Sequence, residues 1–293
     1  MTRPADAAGC GMETGMDITS IMVHVDDAAP CAARIETAVR VAGRFGSALT
    51  GVYLVATPEL TPTVAALLPA DSVAQRIAST GEAQERSEGA FRDTASGRVS
   101  AVEWRAPAGI AVEAAVWNAR YTDLAIVGQP QSDSDSYGFE QRIAESVLLQ
   151  SGTPVLYVPY TGSLSSLGIR VLVAWDGGRE AARAIRDALP FLVGANEVLI
   201  ASYPRNDESA EALARAQPHL ETYLARHGVR AGFRRHLGDD LEVGQRLLSQ
   251  AADFGSDLLV MGGFAHSRAR EWVLGGVTRT MLQSMTLPVL MSR

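Results

Sequence analysis

The sequence predicts an α/β protein of two similar halves, each a doubly wound, largely parallel sheet. Strand and helix signals alternate along the 293 residues. The strand signals are near-continuous apolar runs such as "VLVAW" and "DLLVMG", which is typical of parallel strands covered on both faces. One series of segments also occurs twice, and internal repeats decide the fold class early. Alternating strands and helices imply right-handed crossovers.

The repeat opens with an apolar run, an aspartate and then a helical pattern rich in alanine and arginine. "ITSIMVHVDD" reaches Asp26, and "GIRVLVAWDGG" reaches Asp176 150 residues later. Farther along, "TDLAIVG" matches "SDLLVMG" and "TPVLYVP" matches "LPVLMSR", both 134 residues apart. The first half is therefore longer by about 16 residues. The extra length falls between Val55 and Val99, in a longer loop and a longer second helix that begins near Pro69.

The second half gives the clearest order of elements. Apolar runs predict strands, and periods of three to four residues predict helices. The predicted strands lie near 169–175, 197–203, 229–237, 257–262 and 287–291. The predicted helices lie near 179–193, 208–227, 240–255 and 276–285.

The length suggests two domains at roughly 150 residues each. We predict a disordered tail over 1–17, a first domain over 18–160 and a second over 169–293; "PYTGSLSSLG" is the linker. Each half ends in an edge strand, Pro154 to Val158 and Pro288 to Met291, and exposed edges invite pairing. The halves are expected to pack as an intramolecular pseudo-dimer, and two chains to form a homodimer.

Composition excludes several classes of function. The net charge of −7 argues against a nucleic-acid surface, and no apolar run approaches the roughly 20 residues of a membrane span. All 26 basic residues are arginine, which excludes a Walker A lysine and a Schiff base. The two cysteines and five histidines lack metal-ligand spacing, so no metal site is predicted. We expect a cytoplasmic protein with no catalytic set.

Two glycine pairs stand between the fourth strand and the last helix of the second half, Gly262-Gly263 and Gly275-Gly276. Glycines after a strand let backbone N–H groups approach an anion, and a helix N-terminus adds a favourable dipole. Arg268 and Arg270 could add positive charge there, and Ser267 or Thr278 a hydroxyl. Tight turns need glycines too, so the physics alone leaves both readings open.

With its strand-ending aspartates, its "DLLVMG" strand, its glycine loop and its closing "PVL" strand, the chain resembles a tandem member of the universal stress protein family. The resemblance implies an adenine-nucleotide alpha-hydrolase-like fold with strand order 3-2-1-4-5 in each half. Nucleotide-binding members carry Gly, two residues, Gly, nine residues, Gly and then Ser or Thr. Gly262 and Gly275 match that motif, whereas Ala265 and Gly276 depart from it.

The resemblance implies a site for ATP or another adenine nucleotide in the second half. Asp176 would lie at the nucleoside end and Thr278 would supply a hydroxyl. The phosphates would meet backbone amides of Gly262, Gly263, Ala265, Gly275, Gly276 and Val277. In the first half Gln129-Pro130, Gln141 and Arg142 replace the motif, and "QSDSDS" adds negative charge, so no nucleotide triphosphate is expected there.

The sequence therefore predicts a stress-response binding and regulatory protein rather than an efficient enzyme. Two alternatives stay open: a slow nucleotide hydrolase that uses Asp176 and the glycine loop, and a nucleotide-free structural or interaction protein.

Overall fold

The computed structural model describes residues 17–55, 69–161, 164–236, 240–263 and 275–293. Within those ranges ten strands form one sheet in the order β3-β2-β1-β4-β5-β10-β9-β6-β7-β8. Each half supplies five consecutive strands of the sheet in the order 3-2-1-4-5. The predicted α/β class and strand order are therefore confirmed. Most of the tail predicted over 1–17 lies outside the described residues.

The first half alternates strands and helices from its start. Its elements are β1 Ser20–Val25, α1 Cys31–Phe45, β2 Ala48–Tyr53, α2 Ala70–Ala95, β3 Val102–Arg105, α3 Ala111–Arg120, β4 Leu124–Gly128, α4 Tyr137–Gln150 and β5 Val155–Val158. The predicted length difference falls partly on α2, which has 26 residues against 20 in its counterpart of the second half. The loop predicted before α2 lies outside the described residues.

The second half repeats the order with one extra break. Its elements are β6 Arg170–Ala174, α5 Arg179–Asp187, α6 Leu189–Val193, β7 Glu197–Ser202, α7 Asp207–Arg226, β8 Ala231–Arg235, α8 Asp240–Phe254, β9 Leu258–Gly262, α9 Gly276–Ser284 and β10 Val289–Ser292. The helix predicted over 179–193 is two helices, because Pro190 has no N–H to donate to the preceding turn.

Two layers of helices cover the sheet, one on each face. Side chains alternate along the strands, as in β9, where Leu258 and Val260 join one buried cluster and Leu259 and Met261 the other. Buried side chains of α1, α2, α5, α6 and α7 belong to the first cluster. Those of α3, α4, α8 and α9 belong to the second. Among the described residues, no helix combines the length and apolar character needed to cross a bilayer.

One antiparallel ladder joins the halves, whereas every other strand pair in the described sheet is parallel. Residues 289–291 of β10 pair with residues 155–157 of β5, and Leu290 faces Leu156 in the register. Both leucines are fully buried. The edge strand that each half would otherwise expose is therefore paired within the chain.

Candidate functional site

The main candidate site is a cavity at the carboxyl ends of the strands in the second half. It has a volume of about 430 Å³. Asp176 follows β6, Gly262 ends β9, and β6 and β9 are neighbours, so both residues reach the cavity wall. The first and fourth strands of a 3-2-1-4-5 sheet diverge in their connections at this point, where ligands of doubly wound proteins bind.

Gly262 brings strand β9 directly against helix α5. A Cβ at this position would lie 2.7 Å from the backbone nitrogen of Ala181 and 2.7 Å from the carbonyl carbon of Glu180. Both are backbone atoms of the first turn of α5, which cannot move aside alone. The glycine therefore has a packing role of its own beside its candidate role in binding.

Gly263 lies next to Gly262 but points away from the cavity. Its N–H donates to the carbonyl of Ser292 over 2.7 Å, and a Cβ here would lie 2.8 Å from Leu148 of the first half. The amide is already used by the β10 end of the sheet, so it is not available to an anion in this conformation. Ala265 lies outside the described residues.

The start of α9 forms another wall of the cavity. Gly275 is the N-cap residue, with φ −59° and ψ 151°, and Gly276, Val277 and Thr278 follow it along the wall. Thr278 is buried. No atom lies within 4 Å of a Cβ built on Gly276, so neither φ nor packing demands glycine there. The first amides of α9 lack helical partners and carry the positive end of the helix dipole.

Asp176 is exposed at the cavity edge. Its Oδ1 accepts a hydrogen bond from the N–H of Gly178 over 2.8 Å, and Gly177 between them has a φ of 77°. This short turn holds the carboxylate at the end of β6. The structure thus places Asp176, Gly262 and residues 275–278 around one cavity.

Sequence reasoning missed the rest of the cavity wall, which comes from elements without a motif. The additional lining residues include Trp175, Glu180, Tyr203, Arg205, Val243 and Met261. Tyr203 and Arg205 follow β7, the strand next to β6. Their position after a predicted strand, at the same sheet edge as Asp176, was the signal that could have identified them.

The first-half crevice, which lies beside Asp26 and Gly128, is filled by the chain's own side chains and keeps only about 20 Å³. A separate cavity of about 760 Å³ in the same half is lined by Leu54, Gly109 and Arg142 among others. The Arg34 side chain of α1 is 5% exposed. Its Nε donates to the His24 carbonyl over 2.5 Å and its Nη2 to Asp26 Oδ2 over 2.6 Å. A Cβ on Gly128, the counterpart of Gly262, would overlap Arg34 Nη1. The guanidinium therefore lies directly on the end of β4.

Burial and charge set the protonation states in that cluster. Burial acts to raise the pKa of Asp26, but the charge and hydrogen bond of Arg34, together with His24 and the Ala28 N–H, outweigh it and hold that pKa below its usual value. Burial, reinforced by Arg34, lowers the pKa of His24 to about 4. Neutral His24 lies 2.9 Å from the Leu54 carbonyl through Nε2, so this nitrogen carries the proton. At neutral pH, Asp26 and Arg34 are therefore both charged, whereas His24 is neutral.

A second carboxylate occupies the other side of the first-half crevice. Glu140, in the first turn of α4, accepts from the backbone N–H of Gln131 over 2.8 Å and from Ser134 Oγ over 3.0 Å. Gln131 follows β4 at the position that Ala265 holds after β9. The substitutions noted in the sequence, Gln141 and Arg142, lie just beyond Glu140, which sequence reasoning missed.

Among the described residues no group of three or more histidine, cysteine, aspartate or glutamate side chains could hold a metal ion. The second-half cavity combines apolar walls, one helix N-terminus and the charged side chains of Asp176, Glu180 and Arg205. Apolar walls with a few fixed polar groups are typical of small-molecule sites.

Comparisons with known proteins agree with this architecture. The model of the universal stress protein family matches residues 169–293, and no curated protein matches the chain significantly. A universal stress protein from Archaeoglobus fulgidus DSM 4304 superposes with a TM-score of 0.73 at 17% identity, over 95% of this chain and 97% of that one. A protein of unknown function from Pseudomonas aeruginosa PAO1 gives 0.57 at 16% identity, over 94% and 93%.

A universal stress protein solved in complex with cAMP is also similar, over 50% of this chain and 99% of that one, with a TM-score of 0.34 and 16% identity. At these identities the two matches with TM-scores of 0.73 and 0.57 show a shared fold. The half that contains the cavity beside Asp176, residues 169–293, is the part of this chain that matches the universal stress protein family.

Proposed function

We propose that this chain is a cytoplasmic stress-response binding and regulatory protein that binds one ATP or other adenine nucleotide, in its second half. The observation that carries the proposal is the difference between the spaces beside the strand-ending aspartate and glycine: about 430 Å³ at Asp176 and Gly262 against about 20 Å³ at Asp26 and Gly128. A pocket of roughly 300–1,000 Å³ is the usual size for a small-molecule ligand.

The cavity groups that the sequence motif marks each have a role in the proposal. The amides at the start of α9, at Gly276 and Val277 with the N-cap Gly275, face the phosphates, where the helix dipole favours negative charge. The Asp176 carboxylate lies at the nucleoside end and accepts from ribose hydroxyls. Gly262 has no side chain that would keep the ligand away from the end of β9, and Thr278 is the candidate hydroxyl donor.

Two features of the same cavity favour the nucleotide-free alternative. The Gly263 amide is used by Ser292, and Gly276 offers no hydroxyl. Each lost donor removes a charge-assisted hydrogen bond worth about 1.5–3 kcal/mol. We therefore expect weaker binding than a complete motif would give. In this proposal the first half is a structural partner, the halves act as an intramolecular pseudo-dimer, and two chains form a homodimer.

Titration calorimetry with ATP tests the proposal through Gly275→Val. The backbone angles of Gly275 are open to valine, so the fold is kept while the side chain blocks close approach of a phosphate. We expect a loss of roughly 2–5 kcal/mol of binding free energy. The wild type is expected to bind one nucleotide per chain.

Arg142→Gly is the matched control, since Arg142 holds the position in the first half that Gly276 holds in the second. It should leave affinity and stoichiometry unchanged. Two nucleotides per chain, or unchanged affinity in Gly275→Val, would refute the assignment. If the wild type at millimolar ATP gives no heat beyond the heat of dilution, the nucleotide-free structural alternative is favoured.

A further inference from the structure

In the first-half crevice, side chains of the protein itself bind the polar groups of the crevice wall. On one side the Arg34 guanidinium binds the Asp26 carboxylate and the His24 carbonyl. On the other side the Glu140 carboxylate binds the Gln131 amide and the Ser134 hydroxyl. Between them remains space for about one water molecule.

The second half differs at the position equivalent to Arg34. Ala184 stands there, 150 residues later, and is fully buried. With this short side chain the backbone of α5 itself comes against Gly262. In the first half the guanidinium, rather than the helix backbone, is the group that meets Gly128. Arg34 therefore acts as a spacer that fills the volume between α1 and the end of β4.

Glu140 uses the polar groups that an external anion would need. A loop amide after the fourth strand donates to its carboxylate, and Glu140 itself lies in the first turn of the next helix, α4. Carboxylates are favoured at helix N-termini for the same reason that phosphates are. Because this carboxylate is attached to the chain, it binds without the entropy cost of a free ligand.

We propose that Arg34 and Glu140 are intramolecular ligands that permanently occupy the first-half crevice, so that the space beside Asp26 and Gly128 is closed to small molecules. The polar groups of the crevice are present, but the Arg34 and Glu140 side chains already occupy them. In this sense the two side chains are autoinhibitory. Removing either side chain should then create a site for a small molecule of the same chemistry.

Chemical rescue of thermal stability tests this in the absence of nucleotide, so the outcome does not depend on binding in the second half. Arg34→Ala should lower Tm by about 10 °C, as removal of one partner of a buried ion pair does in a large domain. Millimolar methylguanidinium should recover part of that loss.

Glu140→Ala should lower Tm by about 5 °C, and formate should recover part of it where chloride at equal ionic strength does not.

Matched controls outside the first-half crevice separate rescue from general salt effects. Arg92→Ala loses an exposed ion pair with Glu88, and Glu145→Ala loses a hydrogen bond from Gln141 on α4; neither should respond to its small molecule. Glu140→Gln keeps the volume without the charge and should lose stability without rescue by formate.

The proposal is overturned if methylguanidinium fails to stabilise a folded Arg34→Ala, if formate fails with Glu140→Ala, or if the control variants respond equally. Should Arg34→Ala not fold, the formate arm decides alone, because Glu140 is only half-buried and its removal leaves the core intact.

Discussion

Two glycines in the candidate site differ in whether packing requires a residue without a side chain. At Gly262 a Cβ would lie 2.7 Å from backbone atoms of α5. Gly276, in the same motif region, has open space where a Cβ would lie. The first is demanded by packing, and the second is not.

Substitution by alanine should separate these two glycines. Gly262→Ala forces α5 away from β9 and should lower the free energy of unfolding by about 1–3 kcal/mol. Gly276→Ala should range from neutral to about 1 kcal/mol more stable, because alanine restricts the unfolded chain. Urea unfolding measures both. Equal effects of the two substitutions would contradict the packing role of Gly262.

The buried cluster of His24, Asp26 and Arg34 should make stability depend on pH. Because the folded pKa of His24 is about 4, against 6.5 when free, the unfolded chain binds a proton more readily than the native state. The stability that neutral His24 contributes is fully present above pH 6.5 and is lost as pH falls towards 4. The loss is on the order of 3 kcal/mol.

Unfolding titrations across that pH range check the prediction with His24→Gln, which can still donate to the Leu54 carbonyl but does not titrate. The variant should show a shallower decline between pH 6.5 and 4 than the wild type. Asp26, whose pKa is also lowered, should contribute at lower pH in both proteins. Identical slopes in the two proteins would rule out His24 as the source.

At the scale of elements, the short helix α6 links the second half to the first. Its Phe191 is fully buried and meets Phe45 of α1 edge to face, with ring centroids 5.1 Å apart. The Arg44 guanidinium lies over both rings at 5.2 and 5.7 Å and donates to the Leu167 carbonyl of the linker over 2.8 Å. Helix α6 is therefore a second junction besides the β5–β10 ladder.

Truncation of Phe191 should weaken that junction strongly. Phe191→Ala should cost about 3–5 kcal/mol of unfolding free energy, through lost burial and the cavity left behind. Val193→Ala, in the same helix but 57% exposed, should change stability by less than about 0.5 kcal/mol. Denaturant unfolding followed by tryptophan fluorescence measures both. A small effect of Phe191→Ala would mean that α1 and α6 repack without it.

At the scale of the whole molecule, the antiparallel ladder makes one sheet out of two. Tyr157 in β5 is fully buried, and its hydroxyl donates to the Ala144 carbonyl over 2.8 Å. Leu148 of α4 also packs against Gly263 beyond the end of β9. Each half therefore buries its last strand against the other.

An isolated second half should replace that partner with a copy of itself. Residues 169–293 expressed alone would expose β10 as an apolar edge, and uncovered edges pair. We expect a dimer at micromolar concentration in sedimentation velocity, which becomes a heterodimer when residues 17–161 are added. A stable monomer of either half would show that the seam contributes little to association.

The sequence by itself determined the α/β class, the two halves and the element order, because apolar periodicity and repetition are local signals. It also identified Asp176, Gly262 and Gly275, which a motif marks. The break at Pro190 and the exact strand ends depended on local backbone hydrogen bonding that periodicity does not resolve.

Only the tertiary structure showed what fills the space beside Asp26 and Gly128. Arg34 reads in the sequence as one more arginine on an amphipathic helix, and Glu140 as one more acidic residue near a helix start. Their roles arise because the sheet brings α1, β4 and α4 together from distant parts of the chain. The commitment of the Gly263 amide to Ser292 depends likewise on the packing of β10 beside β9, since a hydrogen-bond partner 29 residues away has no local signature.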